Sequence, residues 1–173
     1  MELTDAIKGR RSVRAFKPQD VPEEMVERLV DAARHAPSAG NIQPWEFVIA
    51  RKLETKQKLS RAAFNQAFVE EAPVVIVVCA DEIRSSMGYG SRGETLYCIQ
   101  DTAAATQNIL LTAFSLGLGT CWVGAFNENE AKKALKAPEG IRPVAMIPLG
   151  YPNKTPSQRD RRLLKQIVHH EEF

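Results

Sequence analysis

The sequence predicts an α+β fold, built as layers of helix and sheet, and three observations carry that expectation. Val74 to Ala80 (Val-Val-Ile-Val-Val-Cys-Ala) is β-branched and apolar at successive positions, as a central strand covered on both faces requires. Thr95 to Leu116 is the longest helical stretch and is apolar around most of its circumference, so it belongs in the middle of a layer or in a subunit interface. Elsewhere helices and strands alternate without a strict βαβ rhythm, which argues against a doubly wound sheet.

In chain order, Thr4 is placed to cap a short helix ending at Gly9, and Val13 to Phe16 reads as a short strand closed by Pro18. Asp20, Pro22, Glu23 and Glu24 start a second helix whose packed face is Met25, Val26, Leu29, Val30 and Ala33, and Pro37 ends it. Pro37 to Pro44 is a loop of small and amide residues between two prolines, followed by a half-buried strand on Trp45, Phe47 and Ile49. Leu53 to Ala63 is helical, and Phe64 to Glu71 continues helically after a break that Pro73 closes. Asp81 to Gly93, with Gly88, Gly90 and Gly93, reads as a mobile connection. After the long helix, Gly117 and Gly119 lead into a strand over Thr120 to Ala125. Asn127 and Glu130 form a capping pair for a helix packed through Ala131, Ala134 and Leu135. Val144 to Leu149 is a strand in which Pro148 marks an edge or a bulge. Gln158 to Phe173 offers only Leu163, Leu164, Ile167 and Val168 for burial, so this tail is expected to wrap a partner subunit.

Composition narrows the functional classes. At 173 residues the chain suits a single domain that can bury a core without staples. With 23 Lys plus Arg against 21 Asp plus Glu, the net charge of +2 points to neither nucleic acid nor a membrane surface as partner. Any anion site must therefore be local. Cys79, Cys98 and Cys121 contain no Cys-x-x-Cys pair and sit in apolar runs, the pattern of buried reduced thiols in a cytoplasmic protein. Neither an export signal nor a membrane span is expected. Hydrolase and metalloprotease readings lack their motifs, Gly-x-Ser-x-Gly and His-Glu-x-x-His. Gly117-Leu-Gly119 follows a helix and enters a strand, the reverse of a dinucleotide fingerprint.

Gly9 to Phe16 (Gly-Arg-Arg-Ser-Val-Arg-Ala-Phe) crowds three guanidiniums and a hydroxyl into one turn. Arg10, Arg11 and Arg14 offer planar forks of donors that match phosphate oxygens in pairs, and Ser12 adds a neutral donor. Asn41, Gln43 and Asn65 each carry a donor and an acceptor on one amide, the pairing that suits the edge of a uracil-like ring. Taken singly these amides are ordinary turn residues. Together, an anion clamp and an amide-lined grip for a planar heteroaromatic describe FMN.

Four motifs in register carry a family resemblance: Arg10 to Phe16, Ala36-Pro-Ser-Ala-Gly-Asn-Ile-Gln-Pro-Trp45, Gly117-Leu-Gly-Thr-Cys-Trp-Val-Gly-Ala-Phe126, and Arg159-Asp-Arg161. Over essentially its whole length the chain resembles the FMN-dependent nitroreductases. The resemblance implies a central mixed, mainly antiparallel sheet flanked by helices in an intertwined homodimer, with residues 1–173 as one FMN-binding domain and residues 157–173 as the wrapping tail. It places Arg10, Arg11, Ser12 and Arg14 on the ribityl phosphate and the nearby ring edge, joined by Arg159 and Arg161. Pro37, Ser38, Ala39 and Asn41 would come from the other subunit, Asn65 would meet the pyrimidine edge, and backbone at Val123, Gly124 and Ala125 would approach N5. Gly124 suits that place because a missing Cβ lets backbone come close to a flat ligand. No side chain is assigned a catalytic role, and no metal.

The implied activity passes hydride from NADH or NADPH through FMN to a small-molecule electron acceptor such as a nitroaromatic or quinone. Reductive dehalogenation, oxygen-dependent flavin fragmentation and non-catalytic FMN binding stay open as alternatives. Two departures stand out. Many larger members have Glu where this chain has Val123, and Lys where it has Phe68. The chain is also short for the family, without the insertions that shape substrate pockets in longer members.

Overall fold

A computed structural model describes residues 1–173. Its elements are α1 (Leu3–Gly9), α2 (Glu23–Arg34), β1 (Trp45–Ala50), α3 (Leu53–Ala62), α4 (Phe68–Glu71), β2 (Val74–Asp81), α5 (Glu82–Arg92), α6 (Cys98–Ser115), β3 (Gly119–Thr120), α7 (Glu128–Leu135) and β4 (Ile141–Gly150). Short 3₁₀ turns lie at Ala39–Asn41 and Leu164–Gln166, and a π-helical turn at Gly93–Tyr97 joins α5 to α6.

The four strands order as β1-β2-β4-β3, and every pairing between them is antiparallel. The parallel component of the expected mixed sheet reduces to one isolated bridge between Ser12 and Thr120. β2 is an interior strand, as its apolar run requires: all residues from Val74 to Ala80 are buried. Its pleat sends Val74, Ile76 and Val78 into one core with Val26 and Leu29 of α2, Ile109 and Leu110 of α6, and Ile147 and Leu149 of β4. Val75, Val77 and Cys79 enter a second core with Leu59, Ala62, Val69, Ala131 and Met146. Each fully buried aliphatic side chain removes apolar surface from water, about 1.5–3 kcal/mol apiece, and helices on both faces hide both sets.

Several expectations give way to local physics. Asp81 to Gly93 is the helix α5, not a mobile connection. The Asp81 carboxylate caps it, accepting from the Arg84 amide at 2.9 Å, and only Tyr89 and Gly90 break the helical dihedrals. Two of the glycines mark close contact: a Cβ on Gly93 would lie 2.2 Å from the Ser85 carbonyl oxygen, and one on Gly88 2.3 Å from the Ile42 Cδ1. The α-helical part of the long helix begins at Cys98, because the π turn occupies Gly93–Tyr97. Thr120 to Ala125 is not one strand. β3 ends at Thr120, and beyond it β4 is met by single contacts, the Cys121 amide donating to the Pro148 carbonyl at 3.2 Å and Val123 forming an isolated bridge with Met146. Val13 to Phe16 likewise forms bridges at its flanks, Ser12 with Thr120 and Phe16 with Pro152, in place of a strand. Phe64 and Asn65 both take left-handed backbone (φ 57° and 59°), so helix resumes only at Phe68. Thr4 lies inside the first turn of α1 and caps nothing. Pro148 sits within β4, which lies between β2 and β3, while the ladder's irregularity falls at Val78/Cys79, opposite Pro143 to Ala145.

All three cysteines are free and buried. Burial pushes each thiol upward, Cys79 to about 12. No helix is long and apolar enough to cross a membrane.

Candidate functional site

The site is built where α1 ends. The seven-residue helix stops at Gly9 with Arg10 in the cap position, and the Arg10 amide donates to the Ala6 carbonyl at 3.0 Å. A helix C-terminus presents outward carbonyls and partial negative charge, a poor neighbour for an anion. Arg11 corrects this. Its NH1 donates to the carbonyls of Lys8, Gly9 and Arg10 at 2.6, 2.8 and 2.9 Å, and its NH2 reaches the Gln158 Oε1 at 3.0 Å. The turn is then pinned to the sheet. The Val13 amide donates to the Thr120 carbonyl at 2.9 Å, and the Val13 side chain packs so tightly on Gly119 that a Cβ there would come within 2.8 Å.

The tail of the same chain closes over this turn. Arg10, Arg11, Ser12 and Arg14 line a cavity of about 190 Å³ together with Pro156, Ser157, Arg159 and Arg161. Five guanidiniums and two hydroxyls face it, and no carboxylate does. A mostly apolar cavity of about 270 Å³ adjoins it, sharing Arg10 and Arg11 and floored by Phe114, Leu118 and Gly119.

The segment that follows Asn65 meets the one that follows Gly124. Gln66, after Asn65, donates through Nε2 to the Ala125 carbonyl at 3.3 Å, and the Asn127 amide donates to the Ala62 carbonyl at 2.8 Å. The Arg14 guanidinium lies over the Phe68 ring, 5.7 Å from its centroid. Val123 is buried through its paired backbone bonds with Met146, whereas Gly124 is exposed. A Cβ added to Gly124 would meet nothing nearer than the Trp122 Nε1 at 3.9 Å, so no protein packing demands glycine there. Cys121 lies beneath the clamp. Burial raises its thiol, and Arg14, Arg10 and the Ser12 hydroxyl pull in the opposite direction.

Pro37, Ser38, Ala39 and Asn41 do not line the arginine cavity. Their loop is held instead on α5 and α6: the Ala39 amide donates to both Asp101 carboxylate oxygens, at 3.2 and 3.3 Å, and Gly40 lies against the Tyr89 hydroxyl. Within the loop, the Gln43 amide donates to the Ser38 Oγ at 3.0 Å, and Gln43 Nε2 to the Asn41 carbonyl at 3.3 Å. Sequence reasoning missed Ser157, the Arg14–Phe68 stack and Asp101. Only Asp101 carried a signal, as a lone acid in an otherwise apolar and neutral helix.

The family model for nitroreductases matches residues 7–70 and 61–151, which takes in the arginine turn, the amide loop and the Gly124 segment. The chain belongs to the nitroreductase family. Among relatives, a Methanothermobacter thermautotrophicus protein named NADH dehydrogenase/NAD(P)H nitroreductase is 37% identical over 164 residues, covering 92% of this chain and 82% of its own. An FMN reductase (NADPH) of Bacillus subtilis is 31% identical over 96% of this chain and 72% of its own. The crystal structure of NADPH:FMN oxidoreductase from Vibrio harveyi complexed with NAD+ superposes with a TM-score of 0.91 at 26% identity, covering 99% of this chain and 77% of that one. The nitroreductase fold thus accounts for the α+β layers and for the position of the turn at the end of the sheet.

Proposed function

We propose that the chain is an NAD(P)H-dependent FMN oxidoreductase that works as a homodimer. The observation that carries this reading is the cavity shared by Arg10, Arg14, Arg159 and Arg161, free of any carboxylate and large enough for a phosphate group. Each charge-assisted bond to a phosphate oxygen contributes about 1.5–3 kcal/mol where water is partly excluded. The open face at Gly124 supports a flat ligand beside the clamp, because a side chain there would fill space that the protein itself leaves free.

Bound FMN supplies hydride acceptance from NADH or NADPH and passes the electrons to an acceptor such as a nitroaromatic or quinone. The chain's own residues bind and orient. Arg10, Arg14, Arg159, Arg161 and Ser12 hold the phosphate, while Arg11 quiets the carbonyls of α1 and ties the tail through Gln158. Asn65 in left-handed backbone offers its amide to the pyrimidine edge, and backbone at Val123, Gly124 and Ala125 approaches the central ring. Pro37, Ser38, Ala39 and Asn41 reach the flavin of a partner subunit, consistent with their distance from this chain's own arginine cavity. The cavity contains no histidine or carboxylic acid, which leaves its arginines and serines to bind an anion.

Dimerisation also rationalises unpartnered surface. Leu163, Leu164, Ile167, Val168 and Phe173 are exposed along the tail, and the outer edge of β1 is unpaired. The deciding experiment is an absorption spectrum of the purified protein, loaded with FMN if needed, before and after addition of NADH or NADPH. A bound flavin spectrum that bleaches on reduction supports the reading. Failure to take up FMN sinks it, and a bound flavin that neither reductant bleaches leaves a binding module in place of an enzyme.

A further inference from the structure

Asp101 is a buried acid without an ion pair. The residue is 8% exposed in the first turn of α6, and its one protein partner is the Ala39 amide, which both carboxylate oxygens share. Burial raises its pKa and the Ala39 amide is the opposing influence, so at neutral pH the ionised form carries a desolvation cost that no cation offsets. A residue that costs stability at its own position invites a search for what it holds. It holds a strained loop. Gly40, Asn41 and Gln43 all take left-handed backbone, with φ of 54°, 56° and 56°. For non-glycine residues such backbone persists only where the surroundings over-determine it. Beside the loop's own bonds, between Gln43 and Ser38 and between Gln43 and Asn41, the surroundings are Asp101 from α6, the Tyr89 hydroxyl against Gly40, and Gly88 beneath Ile42, and Asp101 is the one side chain from outside that hydrogen-bonds to the loop.

We propose that Asp101 is the positioning residue of the flavin grip: through the Ala39 amide it fixes the Pro37–Asn41 loop in the shape that meets the partner subunit's FMN. This rests on the functional reading above, which assigns that loop to flavin. Asp101 itself touches no cofactor. A neutral amide at the same position keeps one carbonyl acceptor for the Ala39 N–H, whereas Ala or Leu keeps none, so the variants separate anchoring from charge and from packing.

The test measures FMN affinity, melting temperature and hydrogen exchange of the full-length protein for Asp101→Asn, Asp101→Ala and Asp101→Leu. Asp101→Ala and Asp101→Leu are expected to bind FMN about ten-fold or more weakly, and Asp101→Asn within about three-fold of the parent. Asp101→Asn and Asp101→Leu should melt no lower than the parent, because the desolvation cost is gone. In flavin-free protein the amides of residues 39–43 should exchange faster in Asp101→Ala and Asp101→Leu alone, with the rest of α6 unchanged. Parent-like FMN affinity in Asp101→Ala and Asp101→Leu overturns the proposal, and so does a lowered melting temperature in Asn and Leu alike that tracks the affinity loss. If the parent binds no FMN, the functional reading fails by itself, and loop exchange alone decides this one: unchanged exchange in Asp101→Ala overturns it.

Discussion

Arg10 and Arg11 are neighbours with different work. Both line the cavity, but Arg11 spends donors on three carbonyls and Gln158, whereas the Arg10 guanidinium makes no hydrogen bond within the chain. Arg10→Ala is therefore expected to weaken FMN binding about ten-fold or more and to flatten its dependence on salt, read by titration at low and high ionic strength. Arg11→Ala should instead loosen the tail, visible as faster proteolysis near Gln158. A second pair governs acid behaviour. Arg142 grips Glu128 through Nε and NH2 at 2.8 and 2.9 Å, and that hydrogen bonding holds the Glu128 carboxyl below the usual carboxylate range. A depressed carboxylate contributes stability that is complete above its unfolded pKa and is lost as pH falls through the folded one. Glu128→Gln should cost about 0.5–1 kcal/mol near neutrality, the pair being partly exposed, and in melts at successively lower pH the difference should begin to shrink near the ordinary glutamate pKa of about 4.3 and vanish only below the depressed folded one. Asp101 has the opposite sign: its raised pKa means that protonation relieves strain as pH falls.

Among elements, β2 was the most legible, since a run of β-branched residues leaves no helical face and no polar side. Its two cores make a sharp expectation: Ile76→Ala, wholly buried between α2, α6 and the sheet, should cost about 2–5 kcal/mol in urea unfolding. α5 was misread for an instructive reason. Gly88 and Gly93 look like flexibility in a sequence, but their missing side chains make room for Ile42 and for the Ser85 carbonyl, and only the packed structure shows those partners. The segment after Thr120 was overextended because apolar content suggests a strand, while Trp122 falls between the two places where backbone meets β4. The arginine turn and the tail arginines were readable as charge and as motif. Asp101 is visible as a lone acid but its partner is not, and the Arg14–Phe68 stack leaves no signal, because each contact depends on a residue far away in sequence.

At the scale of the molecule, every residue from Asn153 to Phe173 is exposed, yet this tail supplies half of the anion cavity. Deleting residues 157–173 is expected to yield a folded chain by circular dichroism that is monomeric by light scattering and takes up no FMN. Retained flavin binding in that truncation would remove Arg159 and Arg161 from the site. The tie between Arg11 and Gln158 spans 147 positions of sequence. During synthesis the sheet and all seven helices can be finished while the arginine cavity still lacks one wall. On the proposed function, loading with flavin is thus expected to be a late event that reports a chain read through to its last arginines, and a prematurely terminated product to stay colourless however well it folds.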